Sequence, residues 1–383
     1  MRVLHVITGL EVGGAELQLR LLLQHTRHEA GVVTLYNPGT VAEMIEADGT
    51  PVRDLGMRRN TEVSAVLRLR DIIRAGRYDV VHTHLYRACV YGRIAARLAR
   101  TPAVVATEHS IGETHIERRR MSPGVRALYL ATDLCSDATI AVSDTVRDRL
   151  EKWGVPARKI VVIPNGLDFD GLAFDPAARD RTRRQFGILP DAYVLGTMGR
   201  LDSAKRIDLT LEAAAPLLDE RCRLLIVGQG DDRERLAGLA RTLGVSDHVI
   251  FAGYQPDGTA MLCALDLFVS SSAQETFGLS VLEALINGIP ALYTACPALD
   301  GIQTDRAHGV PGDVVAMREE IGKEVATGHR PREPVGAVTE RYGIESVAAQ
   351  IDDLYERLLR HRGGGTATRT SSTQRRSRRR PRG

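Results

Sequence analysis

The chain has 383 residues, 43% hydrophobic but only 4% aromatic, and a formal net charge of +3. This length is too great for one ordinary core, so two aliphatic domains are expected. No apolar run approaches the length of a bilayer span, and the five cysteines are scattered without a C-x-x-C pair. These features argue against an integral membrane protein, a disulfide framework and a cysteine zinc site, and they are typical of a cytoplasmic protein.

The first half alternates short β-rich segments with helical patterns. Its amino terminus carries one charge and a short apolar stretch that leads directly into Gly9, which predicts a first strand rather than a signal peptide. Strands are predicted at residues 3–8, 31–36, 79–85, 103–107, 139–142 and 160–164, and helices at 15–25, 64–75, 88–99 and 145–153. This alternation predicts a parallel sheet with helices on both faces.

The second half repeats the alternation. Strands are predicted at residues 193–198, 223–227, 248–251, 267–271 and 289–293, and helices at 209–218, 232–243, 259–264 and 278–286. Between the halves, residues 168–184 are rich in Asp, Ala and Arg without a buried pattern, and we interpret them as a linker. An α/β protein with two Rossmann-like, doubly wound domains is therefore predicted, at residues 1–170 and 185–340.

The carboxyl-terminal region divides into a helix and a tail. A helix over residues 345–360 has an apolar stripe of Val347, Ile351, Leu354 and Leu358, which must pack against another part of the protein. Residues 363–383 hold seven arginines, no acidic residue and no hydrophobic pattern, so we predict disorder. This basic tail could contact anionic lipid or nucleic acid, or could be a solvated, dispensable extension.

Two carboxylates, Glu275 and Glu283, stand eight positions apart across a Phe-Gly turn. Residues 266–272 have the pattern of a buried strand, so Glu275 is expected on the loop at its carboxyl end. A helix then begins, and its free N–H groups can bind phosphates; the residues concerned are Phe277, Gly278, Leu279 and Ser280. A nucleoside diphosphate sugar needs this combination, with backbone donors for phosphates and carboxylates for hydroxyls. The alternative is a glutamate pair on the solvated face of an amphipathic helix.

Two cations follow the first strand of the second half. Arg200 and Lys205 are placed to clamp a diphosphate leaving group as its bond breaks. Lys205 is one of four lysines in a chain with 47 arginines, which suggests that a compact ammonium is needed there. Ordinary surface charge is the alternative.

In the first half, polar and glycine residues also follow predicted strands. Gly13 and Gly14 stand where a strand leads into a helix, so their N–H groups could approach an anion. His109 follows the strand at 103–107, where an imidazole could position a sugar hydroxyl or simply pack. His82 and His84 lie two apart, on one face of a strand, but without a third zinc ligand at suggestive spacing.

These motifs occur in the order found in retaining GT-B glycosyltransferases, and residues 1–360 resemble the large family 4 of that group. The matching segments are the Glu275-x7-Glu283 pair, Gly199-Arg200-x4-Lys205, the Gly13-Gly14-Ala15-Glu16 loop and His109. The resemblance implies a GT-B fold: two Rossmann-like domains face each other across a cleft, and the closing helix (residues 341–362) crosses back to the first domain. It also identifies residues 164–168 as the domain-junction turn.

The resemblance implies a role for each matching residue. Catalytic positions are His109, which would contact the transferred sugar, Glu275, which would hold its hydroxyls, and Arg200 and Lys205, which would stabilise the departing diphosphate. Donor-binding positions are Gly13, Gly14, Tyr254, Phe277, Gly278, Leu279, Ser280 and Glu283, with Tyr254 near the base and Glu283 at the ribose; Glu16 is a weaker candidate.

Two departures from the family pattern stand out. Arg206 occupies a position where relatives usually have glycine. This difference affects the shape of the loop that carries Arg200 and Lys205, which we name the cationic loop. After residue 293 relatives often have a Gly-Gly loop and an acid, whereas this chain has residues 294–301 with Cys296. That loop lies near the donor sugar in relatives, so the sugar is left open; with no base beside it, Cys296 is not interpreted as a nucleophile.

The expected function is metal-independent, retaining transfer of a sugar from a UDP- or GDP-linked donor to a hydroxyl acceptor, which could be a glycan, a lipid-linked acceptor or a secondary metabolite. No resident cofactor, bound metal or specific nucleic-acid partner is expected. The alternatives are a GT-B sugar-nucleotide epimerase, and a non-catalytic scaffold with a polyanion-binding tail. Residues 117–130 join a basic cluster to an apolar stretch, which indicates either peripheral contact with the anionic inner face of a membrane or a basic loop followed by a buried helix.

Overall fold

The computed structural model describes residues 1–59, 61–112, 115–117 and 119–363. The first domain contains β1 (Arg2–Ile7), α1 (Gly14–His25), β2 (Glu29–Thr34), α2 (Gly39–Ala47), β3 (Val52–Asp54), α3 (Ser64–Gly76), β4 (Val80–His84), α4 (Tyr86–Ala99), β5 (Ala103–Glu108), β6 (His115–Ile116), β7 (Arg119–Arg120), α5 (Pro123–Asp133), β8 (Ala138–Ala141), α6 (Asp144–Trp153) and β9 (Ile160–Val162). Its parallel sheet has the order β3-β2-β1-β4-β5-β8-β9, and β6 and β7 form a separate antiparallel pair.

The second domain and the closing helix contain α7 (Pro176–Gln185), β10 (Tyr193–Met198), α8 (Ile207–Ala214), β11 (Cys222–Val227), α9 (Arg233–Thr242), β12 (Val249–Gly253), α10 (Gly258–Ala264), β13 (Leu267–Ser270), α11 (Leu279–Ile286), β14 (Ala291–Tyr293), β15 (Ala307–Gly309), α12 (Val314–Thr327), α13 (Gly336–Tyr342) and α14 (Ile344–Gly363). The sheet is again parallel, in the order β12-β11-β10-β13-β14-β15. The prediction of two Rossmann-like α/β domains is confirmed.

Each sheet reverses its strand order once, and this reversal locates the cleft. In the first sheet the reversal lies between β1 and β4, and in the second between β10 and β13. Because helices cover both faces, the central strands β4 and β10 are buried along almost their whole length. A crevice therefore opens at the carboxyl ends of these strands, which is where open α/β sheets bind ligands.

The chain crosses between the domains twice, and the two crossings are hydrogen-bonded to each other. Leu167 N donates to Tyr342 O at 2.8 Å, and Ile344 N donates to Leu167 O at 3.1 Å. In the same turn, Gly166 exchanges two hydrogen bonds with the Gln18 amide on α1, at 2.9 and 3.0 Å. A turn tied in this way to both the second crossing and α1 is a well-defined junction between the domains.

After the second crossing, α14 packs against the first domain. Its predicted stripe lies in a core cluster with the strands of the first sheet, together with Tyr355. Asp352, also on α14, accepts hydrogen bonds from the Thr26 hydroxyl at 2.8 Å and from Arg27 N at 3.0 Å. The carboxyl-terminal helix is thus anchored by both apolar and polar contacts.

The linker predicted at residues 168–184 is wrong in its second part, because residues 176–185 form α7. Asp175 caps this helix by accepting a hydrogen bond from Ala177 N, and Pro176 starts it. Arg183 is buried and donates to Ala264 O at 2.9 Å and to Asp266 at 2.7 Å. The polar composition hid a buried face, since this guanidinium is satisfied by hydrogen bonds instead of by solvent.

Three further features concern segments that the sequence left open. Several elements were not predicted: the short α2, β3, β15 and α13, and also α12, which is fourteen residues long. The predicted disordered tail lies, beyond residue 363, outside the described residues. Among the helices that are described, none combines the length and apolar character required to cross a membrane.

Candidate functional site

The second domain brings Lys205 and Glu275 together at the cleft. Lys205 lies on the loop after β10 and Glu275 on the loop after β13, and their Nζ and Oε1 atoms are 2.6 Å apart. The Lys205 side chain is 32% exposed and that of Glu275 only 14%. Since β10 and β13 are neighbours at the point of strand reversal, two residues 70 positions apart meet at one ion pair.

Hydroxyl and carboxylate side chains hold these loops in place. Asp202 accepts hydrogen bonds from Ala204 N at 3.1 Å and Lys205 N at 3.3 Å, and it pairs with Arg200 Nε at 2.5 Å. Ser271 Oγ donates to Arg206 O at 2.5 Å, which joins the end of β13 to the cationic loop. Arg200 is 46% exposed on this loop and bonds to Asp202, not to Glu275.

Arg206, the first departure from the family pattern, keeps the backbone conformation that a glycine would favour. Its φ of 49° and ψ of 40° place it in the left-handed region, where a side chain costs about 1–2 kcal/mol. The loop therefore keeps a glycine-like shape although residue 206 is an arginine. This strained residue forms the turn that leads from Lys205 into α8.

Gly228 lets a neighbouring loop approach this site closely. A Cβ atom at Gly228 would collide with Gly199 O, directly before Arg200. The φ of Gly228 is 134°, so both its conformation and its lack of a side chain are needed there. The cationic loop thus rests against the end of β11.

The segment before α11 supplies the other predicted donor-binding residues. Gly278 caps the helix with a φ of 101°, and Leu279 and Ser280 begin it, so that their N–H groups lie at its free end. Phe277 is buried and packs edge-on against Tyr342 at 5.3 Å between ring centroids, so its side chain has a structural role. Burial raises the pKa of Glu283 to about 7.

Cys296, in the second departure, supports this turn. Its thiol lies 3.5 Å from Phe277 O, and a Cβ atom at Gly278 would collide with its sulfur. Burial raises the pKa of the thiol to about 12. Cys296 is therefore a packed, protonated side chain, which is unsuited to nucleophilic attack.

The first domain contributes a glycine loop and a histidine. Gly13 caps α1, and a Cβ atom there would collide with the Glu16 carboxylate, which folds back over the helix end. At Gly14, a Cβ atom would lie 3.4 Å from Leu279 Cδ1, so the glycine loop faces the start of α11 across the cleft. His109 follows β5 and is half-buried, and burial lowers its pKa to about 4.

Contacts between the domains surround Thr276, and sequence reasoning missed them. Thr276 Oγ1 donates to His109 O at 2.7 Å, and Ser143 Oγ donates to Thr276 O at 2.6 Å. Arg149 Nη1 donates to Ile111 O at 3.0 Å and to Glu275 O at 3.3 Å. Because all four of these bonds have a backbone carbonyl as acceptor, no pattern of paired side chains in the sequence marks them. They bring Glu275 and His109 to the same part of the cleft.

His5, also missed, joins His82 and His84 in a buried cluster whose ring nitrogens lie within 4.8 Å of one another. Such a cluster could approach one metal ion. However, the His82 ring nitrogens are both engaged, with Tyr355 Oη and with Thr107 Oγ1, each at 2.6 Å. His5 Nδ1 and His84 Nε2 bond to each other at 3.0 Å. Metal binding would therefore require breaking these hydrogen bonds.

Tyr254 lies apart from the Lys205–Glu275 pair. It directly follows β12, one of the two edge strands of the second sheet, and is half-buried. It shares the carboxyl-terminal side of the sheet with Lys205 and Glu275 but is separated from them by the width of β11. This is a suitable position for contacting the far end of an extended ligand.

Comparisons with known proteins relate both domains to glycosyltransferases. The model of Glycosyltransferase Family 4 matches residues 12–170, and that of Glycosyl transferases group 1 matches residues 178–327. The chain is 27% identical over 386 residues to a D-inositol 3-phosphate glycosyltransferase of Thermobispora bispora, covering 90% of this chain and 86% of that one. It is also 27% identical over 239 residues to an Escherichia coli UDP-Gal:alpha-D-GlcNAc-diphosphoundecaprenol alpha-1,3-galactosyltransferase, covering 61% and 62%.

Among solved structures, HepE of Anabaena in complex with UDP-glucose superimposes with a TM-score of 0.81 at 21% identity, covering 93% of this chain and 100% of that one. The fold of this chain is thus that of a solved GT-B structure, and the two family models together span both of its domains. This chain belongs to the GT-B glycosyltransferases of family 4.

Proposed function

We propose that this glycosyltransferase moves a sugar from a uridine diphosphate sugar to a hydroxyl acceptor, with retention of configuration and without a metal ion. The observation that carries the proposal is the Lys205–Glu275 pair, 2.6 Å apart, next to Thr276, which bonds to His109 O across the cleft. Uridine is favoured over guanosine because the HepE complex contains UDP-glucose and the E. coli relative is named for UDP-Gal. Family membership favours transfer over the epimerase and scaffold alternatives.

Donor binding is proposed to exchange one ionic contact for another. A diphosphate entering between Arg200 and the amino end of α11 takes the Lys205 ammonium as a partner. Glu275, released from Lys205, then accepts hydrogen bonds from sugar hydroxyls, and Glu283 accepts them from the ribose. The two cations and the backbone N–H groups provide the charge stabilisation that a metal ion provides in other transferases.

In the chemical step, the bond between the anomeric carbon and the diphosphate oxygen breaks, and its electron pair leaves with the diphosphate. The acceptor oxygen bonds to the anomeric carbon on the same face, and its proton passes to the departing phosphate oxygen. This front-face course requires no protein nucleophile. It is compatible with a Cys296 thiol that stays protonated because burial raises its pKa to about 12.

The test is calorimetric binding of UDP-, GDP-, ADP- and TDP-sugars, each with and without EDTA. We expect one uridine donor to bind selectively, with the same affinity in EDTA, and Lys205→Ala to lose most of that affinity. Lys323→Ala is the matched control, because Lys323 makes an ion pair of the same 2.6 Å length with Glu320 away from the cleft. Failure of every donor to bind, or loss of binding in EDTA, would contradict the proposal.

We also propose peripheral contact with an anionic membrane through α5. Leu128 on this helix is 46% exposed, and Leu134 directly after it is 80% exposed. The exposed Arg158 lines a cavity of about 350 Å³ beside Leu134, together with Lys159, whose ammonium pairs with Asp133 Oδ2 at 3.2 Å. Exposed leucines beside basic groups are typical of surfaces that rest on anionic lipid. Such contact suits a lipid-linked acceptor, as in the name of the E. coli relative.

Vesicle sedimentation tests this second proposal. The full chain and a chain ending at residue 362 should both bind vesicles containing phosphatidylglycerol, and Leu128→Ser with Leu134→Ser should abolish binding. Val315→Ser is the control, because Val315 is 62% exposed on the second domain. Loss of binding on tail removal alone would assign the membrane contact to the tail instead of to α5.

A further inference from the structure

Three imidazoles form a hydrogen-bonded row that runs from the core of the first domain to the cleft. His5 Nδ1 lies 3.0 Å from His84 Nε2, and His84 Nδ1 lies 3.3 Å from His109 Nε2. His5 and His84 are fully buried, whereas His109 is half-buried. Only the last ring of the row can therefore meet a ligand.

The sheet itself builds this row. His5 lies on β1, His84 on β4 and His109 just after β5, and these three strands are adjacent. His82, two positions before His84, has its ring centroid 4.1 Å from that of His84. Hydrogen bonds of 2.6 Å to Tyr355 and to Thr107 fix the His82 ring. The ring of His84 is therefore confined by the fixed ring of His82 on one side and by its hydrogen-bond partners, His5 and His109.

The protonation states of these rings make the row directional. Burial lowers the pKa of His5 to about 3 and that of His109 to about 4, and it lowers the pKa of His84 well below its usual value. All three are therefore neutral near pH 7. A neutral imidazole has one N–H and one lone pair, so a ring in such a row must donate through one nitrogen and accept through the other. The tautomer of each ring then determines that of the next.

We propose that His84, supported by His5, is a positioning residue that holds His109 in one orientation and one tautomer. Since Nε2 of His109 bonds to His84, Nδ1 is the ring nitrogen left for the ligand. This inference rests on the proposed function, in which His109 meets the transferred sugar. A single tautomer gives the ligand hydroxyl one fixed partner, either a donor or an acceptor, and avoids reorganisation during the reaction.

The test uses His84→Phe, which keeps a ring but removes both nitrogens, with His109→Ala as the reference for full loss. We expect kcat for the uridine donor to fall about 10- to 100-fold, because a small misplacement of a group at the site by a more distant mutation can cost about 100-fold. The donor KM should change less than about threefold, because the diphosphate contacts lie in the other domain. His5→Phe, one ring further from the cleft, should have a smaller effect in the same direction and serves as the second variant if His84→Phe does not fold.

A structural readout separates this inference from the proposed function. In selectively ¹⁵N-histidine-labelled protein, the imidazole resonances report the tautomers directly, even if no nucleotide sugar is turned over. The native protein should show one tautomer at His109, and His84→Phe should show a mixture. An unchanged tautomer or unchanged kcat in His84→Phe would overturn the inference. So would stoichiometric zinc in the purified native protein, since that would identify the buried histidines as a metal site.

Discussion

The proposed donor contacts of the second domain include an ion pair, whereas the proposed sugar contact of the first domain is a neutral imidazole. Lys205 and Glu275 lie on loops and form the ion pair that we propose a diphosphate replaces. His109 follows a strand directly and belongs to a buried row of neutral imidazoles. The difference matches what each half is proposed to hold. A diphosphate requires mobile cations that exchange partners, whereas sugar hydroxyls require hydrogen-bonding groups with a fixed direction.

The largest effect is expected from Glu275→Ala, which removes the charged partner of Lys205. Turnover of the uridine donor should fall about 100- to 1,000-fold, because the sugar hydroxyls lose their acceptor in the transition state. The melting temperature should change little, since Glu275 is on a loop. Glu320→Ala is the control, because it breaks an ion pair of the same 2.6 Å length on α12. Full activity in Glu275→Ala would show that turnover does not require the Glu275 carboxylate of the second domain.

The next largest effect is a pH dependence that arises from Glu283, because burial raises the pKa of this carboxyl to about 7. If ribose hydroxyls donate to the ionised carboxylate, the Kd for UDP-glucose should rise about tenfold per pH unit below pH 7. Calorimetry from about pH 5.5 to pH 8.5 measures this, and the donor itself does not titrate in that range. Glu283→Gln should bind with little pH dependence. A flat profile for the native protein would mean that Glu283 does not act as an ionised acceptor.

Because of Glu283, we expect the stability of the ligand-free protein to change with pH in the opposite direction to donor affinity. The folded pKa of Glu283 lies above the unfolded value, so the protonated form stabilises the fold at low pH. That contribution is lost as the pH rises from about 4.5 to about 7. The free energy of unfolding of the native protein, relative to Glu283→Gln, should decline over this window.

A smaller effect is expected from Thr276→Val, which keeps the shape of the side chain but removes its 2.7 Å hydrogen bond to His109 O. The cleft should close less often, so kcat should fall about 3- to 10-fold, and small-angle scattering should show a larger radius of gyration. Thr276→Ser restores the hydroxyl and is the control. Equal activity of the valine and serine variants would show that this bond does not hold the second domain against the first.

The smallest predicted effect concerns the shape of the cationic loop. Arg206→Gly should stabilise the second domain by about 0.5–1 kcal/mol, because glycine relieves the left-handed strain but adds freedom to the unfolded chain. Arg206→Ala also removes the guanidinium but keeps the strain, so it should show no gain. Urea unfolding compares the two. A glycine variant no more stable than the alanine variant would mean that the loop is not strained.

Much of the fold followed from the sequence, because strand–helix alternation and buried aliphatic runs are local signals. The strand at residues 193–198 was predicted with the bounds of β10, and most other boundaries differ by one to three residues. The α7 helix was missed because its polar residues face the protein interior through hydrogen bonds instead of apolar contacts. The periodicity of hydrophobic residues does not reveal burial of that kind.

The candidate site shows the same division. Glu275, Glu283, Arg200, Lys205 and His109 were identified from motifs that lie on loops after strands or at the start of a helix, which are recognisable from the sequence. The Lys205–Glu275 ion pair, the contacts of Thr276 and the histidine row were decided only by the tertiary structure. Each depends on which strands become neighbours, and the order of strands in a parallel sheet is set by long-range packing rather than by local sequence. The sequence by itself determined which chemical groups line the cleft, and the tertiary structure decided which of them are partners.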